Sequence, residues 1–484
     1  MVLRVFNTIS GQLEEFKPLH DKQVGLYVCG PTVYDFAHLG HARTYIAFDV
    51  IVRWLEFSGY SVFYVQNITD VGHLTTDTAE DKIVKRAIER KVEPMQLVEF
   101  YMREYFKDLD ELGVKRPDIS PRATGHLLEM IDSINSLIKK DYAYEVNGNV
   151  FFDVSKIEDY GELSKIRIDE ILEGSRFKVH KEKRNARDFA LWKRATPDTV
   201  LKWWSPWGTG FPGWHIECAI MGLKYLGSQF DIHGGARDLI FPHHENEIAQ
   251  SEAITGKKPF VKYWLHTGFL KINGEKMSKS QSNFITVRKA LKKYSAEAIR
   301  LFVMSTHYRN EIDFTDEKLI VAESSLNRLY NTLMSLEAAK KVVAKREPND
   351  VEKHFSKNIE KSKNTFVNAM DEDFNTPRAL AALFEMSKEI NRFLDEQKKV
   401  NSKILEDAYD HFSELGTALG LFQYQKTKDV GKKIVDDLVQ LLLDLRDELR
   451  KKKDYGLSDE IRDRMKQLGL VIEDTAEGHK WKLT

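Results

Sequence analysis

The sequence predicts an α/β protein built on a parallel sheet, followed by a helical region. Three observations carry this. A strand–helix–strand unit lies near the N-terminus, the strand pattern resumes at Gln229, and apolar spacing becomes helical beyond about Thr315. Val24 to Cys29 reads as a short buried strand, turned by Gly30-Pro31-Thr32. A helix follows from about Leu39 to Phe57, with Ile46, Val50, Trp54 and Phe57 at helical spacing and Gly59 beyond its end. Ser61 to Gln66 is a second strand. Such a βαβ unit implies a parallel sheet with helices on its faces, and ligands there bind beyond the strand C-termini.

Residues 80–112 read as helical and charged. From about Pro121 to Thr209 the pattern is irregular and mixed, as in an insertion. Gln229 to His233 restores the sheet pattern, followed by a helix from about Pro242 to Ile254 and a strand from Val261 to Leu265. Phe269 to Glu275 predicts a hairpin closed at Asn273-Gly274, a dipeptide suited to a type I′ turn. Thr376-Pro377 reads as an N-cap with proline at the first helical position. Leu380, Leu383, Phe384, Ser387, Ile390 and Leu394 then form a packed stripe. A polar stretch around Lys426 to Lys433 sets off a last, small module.

The chain has 484 residues, enough for about three or four domains. With 42% hydrophobic and 30% charged residues it reads as globular. The N-terminus lacks the apolar core of a signal peptide, and no apolar run approaches the roughly 18 residues that cross a bilayer. A cytoplasmic protein without a membrane partner is expected. The net charge is 73 − 74 = −1, so any RNA contact must use local patches such as Lys178 to Arg187, Lys292-Lys293 or Arg450 to Lys453. The only two cysteines, Cys29 and Cys218, exclude a disulfide framework and a four-cysteine zinc finger.

Two strings carry candidate chemistry. His38-Leu39-Gly40-His41 falls at the start of the first helix, and Lys276-Met277-Ser278-Lys279-Ser280 on the loop after the hairpin. His38 and His41 flank a helix N-terminus, where backbone N–H groups and the helix dipole favour phosphate. Gly40 lacks a Cβ, so a nucleotide can approach the backbone. Lys276 and Lys279 put positive charge on a loop able to close over phosphates. In this order and on these elements, the strings resemble the two ATP-binding signatures of class I aminoacyl-tRNA synthetases.

His243 and Glu247 share a helix face at i, i+4. With Cys29 and Cys218 they make a set of ordinary Zn²⁺ ligands able to complete a tetrahedron. His244 points about 100° away around the helix and is expected to miss the same ion. Spacing leaves open two buried cysteines beside a surface ion pair, because the parts come from three separate segments.

Longer strings extend the pattern. Cys29-Gly30-Pro31-Thr32-Val33-Tyr34-Asp35 runs into the His38 string, and Asn67-Ile68-Thr69-Asp70 follows the second strand. Asp188 to Lys193 leads to Ser205-Pro206-Trp207-Gly208, then Pro212 to Cys218, and Phe241 to Glu247 precedes the lysine-serine loop. In these blocks and their order the chain resembles the cysteinyl-tRNA synthetase family along nearly its whole length.

The resemblance implies a Rossmann-like parallel-sheet catalytic domain in two halves, 1–120 and 210–255, interrupted by an α/β connective insertion, 121–209. A stem-contact region with the lysine-serine loop (256–315), a helical tRNA-binding bundle (316–425) and a small C-terminal anticodon-binding module (426–484) would follow. It implies His38, Gly40, His41, Lys276 and Lys279 for ATP, with the two histidines and two lysines catalytic. It assigns one Zn²⁺ per chain to Cys29, Cys218, His243 and Glu247, where the metal binds the substrate thiol. Thr69, Trp214 and Asp238 would contact the substrate backbone. ATP with Mg²⁺, L-cysteine and tRNA(Cys) are the implied partners, and a monomer is favoured.

The chain departs from the family at Leu39, where isoleucine is usual, and at Gln281-Ser282, where Leu-Gly is common. Tyr455 stands near a common tryptophan, and Gly478 to Trp481 match the family's tail only loosely. Ligases that join cysteine to an aminosugar resemble the same core but lack such a tail, so the long C-terminal region favours tRNA as acceptor.

Overall fold

A computed structural model describes residues 2–71, 81–166, 182–277, 284–341, 343–344, 346–397, 399–423, 425–452, 454–468, 470–475 and 478–483. The chain divides into two compact units, Met1–Leu421 and Phe422–Thr484.

The first unit is organised around a four-stranded sheet. Its strands are β1 (Gln23–Val28), β2 (Ser61–Gln66), β3 (Phe230–Ala236) and β4 (Val261–Thr267), in the spatial order β4-β3-β1-β2. Every pairing is parallel. Helix α1 (Leu39–Phe57) links β1 to β2 and has the limits expected from sequence. It is buried almost all round, by Ile46, Phe48, Val50, Ile51 and Trp54, as befits a helix inside a large core. Helix α2 (Trp214–Leu226) precedes β3, and helix α3 (Glu245–Thr255) links β3 to β4.

The charged stretch 80–112 is two helices, Lys82–Arg90 and Pro94–Glu111. They part at Lys91, whose φ of 56° ends the first, and Pro94 begins the second. The described residues of the stretch read as irregular, 121–166 and 182–209, carry regular elements. Helix Leu127–Lys139 is followed by an antiparallel sheet of Ala143–Val146, Asn149–Phe152, Phe189–Arg194 and Gly210–Pro212. These strands are only 3 to 6 residues long and scattered, too short for an alternating pattern to stand out. The hairpin at Asn273-Gly274 forms as expected, with φ of 51° and 81° at the two turn residues.

Four helices complete the first unit: Asp316–Ala339, Asp350–Met370, Thr376–Glu396 and Ser402–Ala418. Their caps are Thr315, Asn349, Asn375 and Asn401. The third cap sits one residue before the expected Thr376, because the Asn375 side chain already accepts from Arg378 N.

Arg300 joins these helices to α1. Its fully buried guanidinium donates to Asp49 Oδ2 on α1 at 2.5 Å and to the Leu419 carbonyl at 3.0 Å. It also reaches the carbonyls of Leu112 and Gly113.

The second unit holds helices Gln425–Lys451 and Tyr455–Gln467 and an antiparallel pair, Leu470–Thr475 with Gly478–Leu483. Val439, Leu443 and Met465 form its core. The polar stretch Lys426 to Lys433 is part of its first helix.

Candidate active site and metal centre

The C-terminal ends of β1 and β3 and the start of α3 converge on a buried cluster. Cys29 directly follows β1, and its N–H donates to the Gly234 carbonyl on β3 at 3.0 Å. Gly30 then turns the chain hard against Asn67. A Cβ there would stand 1.6 Å from the Asn67 carbonyl oxygen, so only glycine fits. Cys218 comes from the first turns of α2, and Glu247 from the first turn of α3. His243 lies in the wide turn Ile240–His244 just before α3.

The four expected ligands meet. Donor atoms of Cys29, Cys218, His243 and Glu247 all lie within 4.8 Å of one another, and all four residues are buried. The two sulfurs are 3.9 Å apart. His243 Nε2 lies 2.9 Å from Glu247 Oε1. His244, which the spacing sets apart from His243, is not part of this set but lies close to it. His244 Nε2 lies 3.3 Å from Cys29 Sγ, and Cys29, His233, His244 and Glu247 form a second overlapping group. The turn carries one extended residue, Phe241, ahead of both histidines. Gly235 leaves room, since a Cβ there would stand 2.8 Å from the His244 ring.

Histidines that sequence reasoning missed hold the cluster. His233 Nε2 bonds Glu247 Oε2 at 2.9 Å, and His244 Nδ1 shares a hydrogen bond of 2.8 Å with His266 Nε2. Thr8 Oγ1 fixes the other side of His266, and His215 meets His243 Nδ1 at 3.0 Å. The available signal was a buried imidazole within each of two mostly buried strands, at His233 and His266.

The electrostatics follow from burial and proximity. Burial pushes the Glu247 carboxyl up, but His233 and His243 outweigh it and hold it at about 2. Burial presses His243 down, yet Glu247 and Cys218 raise it to about 10. Burial and the neighbouring Cys218 push the Cys29 thiol up. The contact with Cys29, working against burial, draws Cys218 down to about 6. Burial and the surrounding histidines press His244 well below its ordinary range. The arrangement concentrates anionic character on Cys218 and Glu247, the form in which each binds a metal.

Beside this cluster stands the N-terminus of α1. His38 is its cap: His38 Nδ1 accepts from His41 N at 3.2 Å, and His41 Nδ1 accepts in turn from His38 N. The two rings stack with centroids 3.7 Å apart. The Leu39 N–H donates to the Ile285 carbonyl at 3.0 Å. Two first-turn N–H groups are thus engaged, so this helix end offers an anion its dipole more than an open fork of donors. Gly40 is hemmed in, since a Cβ would stand 2.9 Å from His38 Nδ1 and 3.2 Å from Met277 Cε.

The backbone of Lys276 ends the hairpin, while Ser278, Lys279, Ser280, Gln281 and Ser282 lie outside the described residues. Of the expected substrate contacts, Trp214 stacks on His243 with centroids 4.2 Å apart. Thr69 is buried and its hydroxyl pairs with Glu217 Oε2 at 3.2 Å. Asp238 is exposed on the turn Arg237–Leu239.

The profile of the "tRNA synthetases class I (C) catalytic domain" matches residues 15–324, and that of the DALR domain matches 365–423. A cysteine–tRNA ligase of Thermococcus gammatolerans is 49% identical over 483 residues, spanning 100% of this chain and 99% of that protein. The chain belongs to the cysteine–tRNA ligase family. A cysteine–tRNA ligase of Chlorobium chlorochromatii is 44% identical and is matched over its whole length. Solved structures show the class I fold at greater distance. Methionyl-tRNA synthetase of Mycobacterium tuberculosis, bound by methionyl-adenylate, is 15% identical with a TM-score of 0.59, over 82% of this chain and 89% of that one. Among the described residues of this cysteine–tRNA ligase family member, no helix is long and apolar enough to cross a membrane.

Proposed function

We propose that this protein activates L-cysteine with ATP, forming cysteinyl-adenylate and pyrophosphate, and transfers cysteine to tRNA(Cys). The observation that carries the substrate is the buried two-sulfur cluster beside the cap of α1. Its donors suit Zn²⁺. A tetrahedral zinc with Zn–S near 2.3 Å sets two sulfurs about 3.8 Å apart, and the sulfurs here stand 3.9 Å apart. Cys29, Cys218, His243 and Glu247 would hold it. Zinc bound there would stabilise a substrate thiolate and favour it over a hydroxyl. A pocket that reads shape alone separates near-isosteres by only about a hundredfold, which gives such a site a reason to exist.

This chain's residues do the rest by position. Trp214, stacked on His243, walls the pocket beside the metal centre, with Thr69 and Asp238 for the substrate backbone. His38, Gly40 and His41 receive ATP, with its Mg²⁺, at the positive end of α1. Lys276 and Lys279 neutralise charge that develops as the carboxylate attacks the α-phosphate. Residues 316–425 would bind tRNA and 426–484 the anticodon, a reading supported by the DALR match and by the unit boundary after Leu421. The protein would act as a monomer in the cytoplasm, where its substrates are.

Cysteine-dependent exchange of pyrophosphate into ATP, followed by charging of total tRNA, tests the reading. Exchange with cysteine and not serine is expected, together with cysteine on tRNA. Exchange without tRNA charging would sink the tRNA half, and exchange with serine at a similar rate would sink the role of the cluster.

A further inference from the structure

We propose that Trp204 is a stacking platform for the unpaired 3′ end of tRNA; this rests on the tRNA-charging reading above. The segment Trp203 to Trp207 carries three tryptophans. Trp203 pairs its backbone with Gly210 in both directions, at 2.7 and 2.8 Å. Neighbouring residues of extended chain face opposite ways, and here the alternation is plain. Trp203 and Trp207 pack against the core, while Trp204 is 75% exposed. Tryptophan carries a large, flat aromatic surface, and at Trp204 that surface is open to solvent.

Its place on the chain ties it to the site. Gly210, across from Trp203, opens the strand Gly210–Pro212, which runs through Gly213 into Trp214 against His243. At about 3.3 Å per residue, the step from Gly210 to Trp214 covers at most about 13 Å. A few unpaired nucleotides bridge such a distance, and the reaction demands that the tRNA terminus reach the centre.

The charge around Trp204 selects RNA over a protein partner. Arg194, which pairs with Gly210 in the strand ladder, and Lys202 are both exposed. Among the exposed residues from Arg194 to Trp204 the charges are Arg194 and Lys202 against Asp198 alone. A flat aromatic face flanked by cations is how proteins hold single-stranded nucleic acid, with bases on the ring and phosphates on the cations.

The test compares intact tRNA(Cys) with the same tRNA stripped of its unpaired 3′ nucleotides, measuring Kd for both. For intact tRNA, Trp204→Ala should raise Kd, and KM in charging, about tenfold, as loss of one base stack does. Trp204→Phe should recover most of this. For stripped tRNA the wild type and Trp204→Ala should bind alike. Cysteine-dependent pyrophosphate exchange, which needs no tRNA, reports whether the variant is folded. Equal losses with both tRNAs, or no loss with either, would overturn the proposal. A change in oligomeric state on Trp204→Ala would assign the face to a second copy and also overturn it. Failure of the wild type to charge any tRNA would instead sink the underlying function.

Discussion

The Leu39 N–H donates to the Ile285 carbonyl at 3.0 Å, so the helix that carries His38 and His41 is pinned to the chain just after the lysine-serine loop. Met277, at the start of that loop, borders the space above Gly40. The two strings far apart in sequence are thus joined at both ends of the loop, and a change at Gly40 must be felt on both. Gly40→Ala puts a Cβ within 2.9 Å of the His38 ring. Displacements of about 1 Å at reacting groups can cost about a hundredfold. Pyrophosphate exchange should therefore fall by about tenfold to a hundredfold, with metal content unchanged. Wild-type exchange would show that the crowding relaxes without moving the histidines.

Lys279→Ala should slow adenylate formation far more than it weakens cysteine binding, because its charge acts mainly in the transition state. Single-turnover adenylate formation and equilibrium cysteine binding separate the two. Equal losses in both would contradict the role.

Cys218→Ala should remove metal and cysteine affinity together. Metal analysis of the purified variant decides the matter, and a full complement of zinc would show that the ligand set is wrong.

His233→Phe should weaken metal binding while leaving all four donors Cys29, Cys218, His243 and Glu247 in place. Its Nε2 holds Glu247 Oε2 at 2.9 Å, and losing such a supporting bond typically costs about 10–100-fold in metal affinity. Competition with a chelator measures this, and unchanged affinity would show that Glu247 is held well enough without it.

Asp49 is a stability element with a defined pH signature. Burial would raise its carboxyl, but Arg300 and Arg53 overcome this and hold it below its ordinary value. A carboxyl lowered in the folded state contributes stability in full above its unfolded value of about 3.9, and loses it as pH falls through the lower folded value. Asp49→Asn leaves Arg300 buried without its counter-charge, a loss of about 3–5 kcal/mol. At neutral pH the variant should melt lower, and the gap to wild type should narrow as pH falls below about 4. A gap that stays constant into acid would show that Asp49 does not titrate with folding.

Local signals and site residues were legible to different degrees. Helix Leu39–Phe57, strand Ser61–Gln66 and the Asn273-Gly274 turn follow from apolar spacing and turn chemistry, which act within a few residues. The insertion sheet does not, because strands such as Gly210–Pro212 gain their identity only from partners far along the chain. At the site, Cys29, Cys218, His243 and Glu247 were readable as donors of the right kinds. The part played by His233, His244 and His266 was not, because nothing but the folded sheet brings β3, β4 and the turn before α3 together.

Arg300 has a mechanical consequence. One guanidinium clasps Asp49 on α1 and the carbonyl of Leu419 near the end of the first unit, and Gly420 admits it only by lacking a Cβ. Pulling those elements apart would strand a cation in a dry interior, so they behave as a single lever. The last helix of the bundle and the helix that begins at His38 and His41 are therefore tied both by their own packing and by this one buried cation.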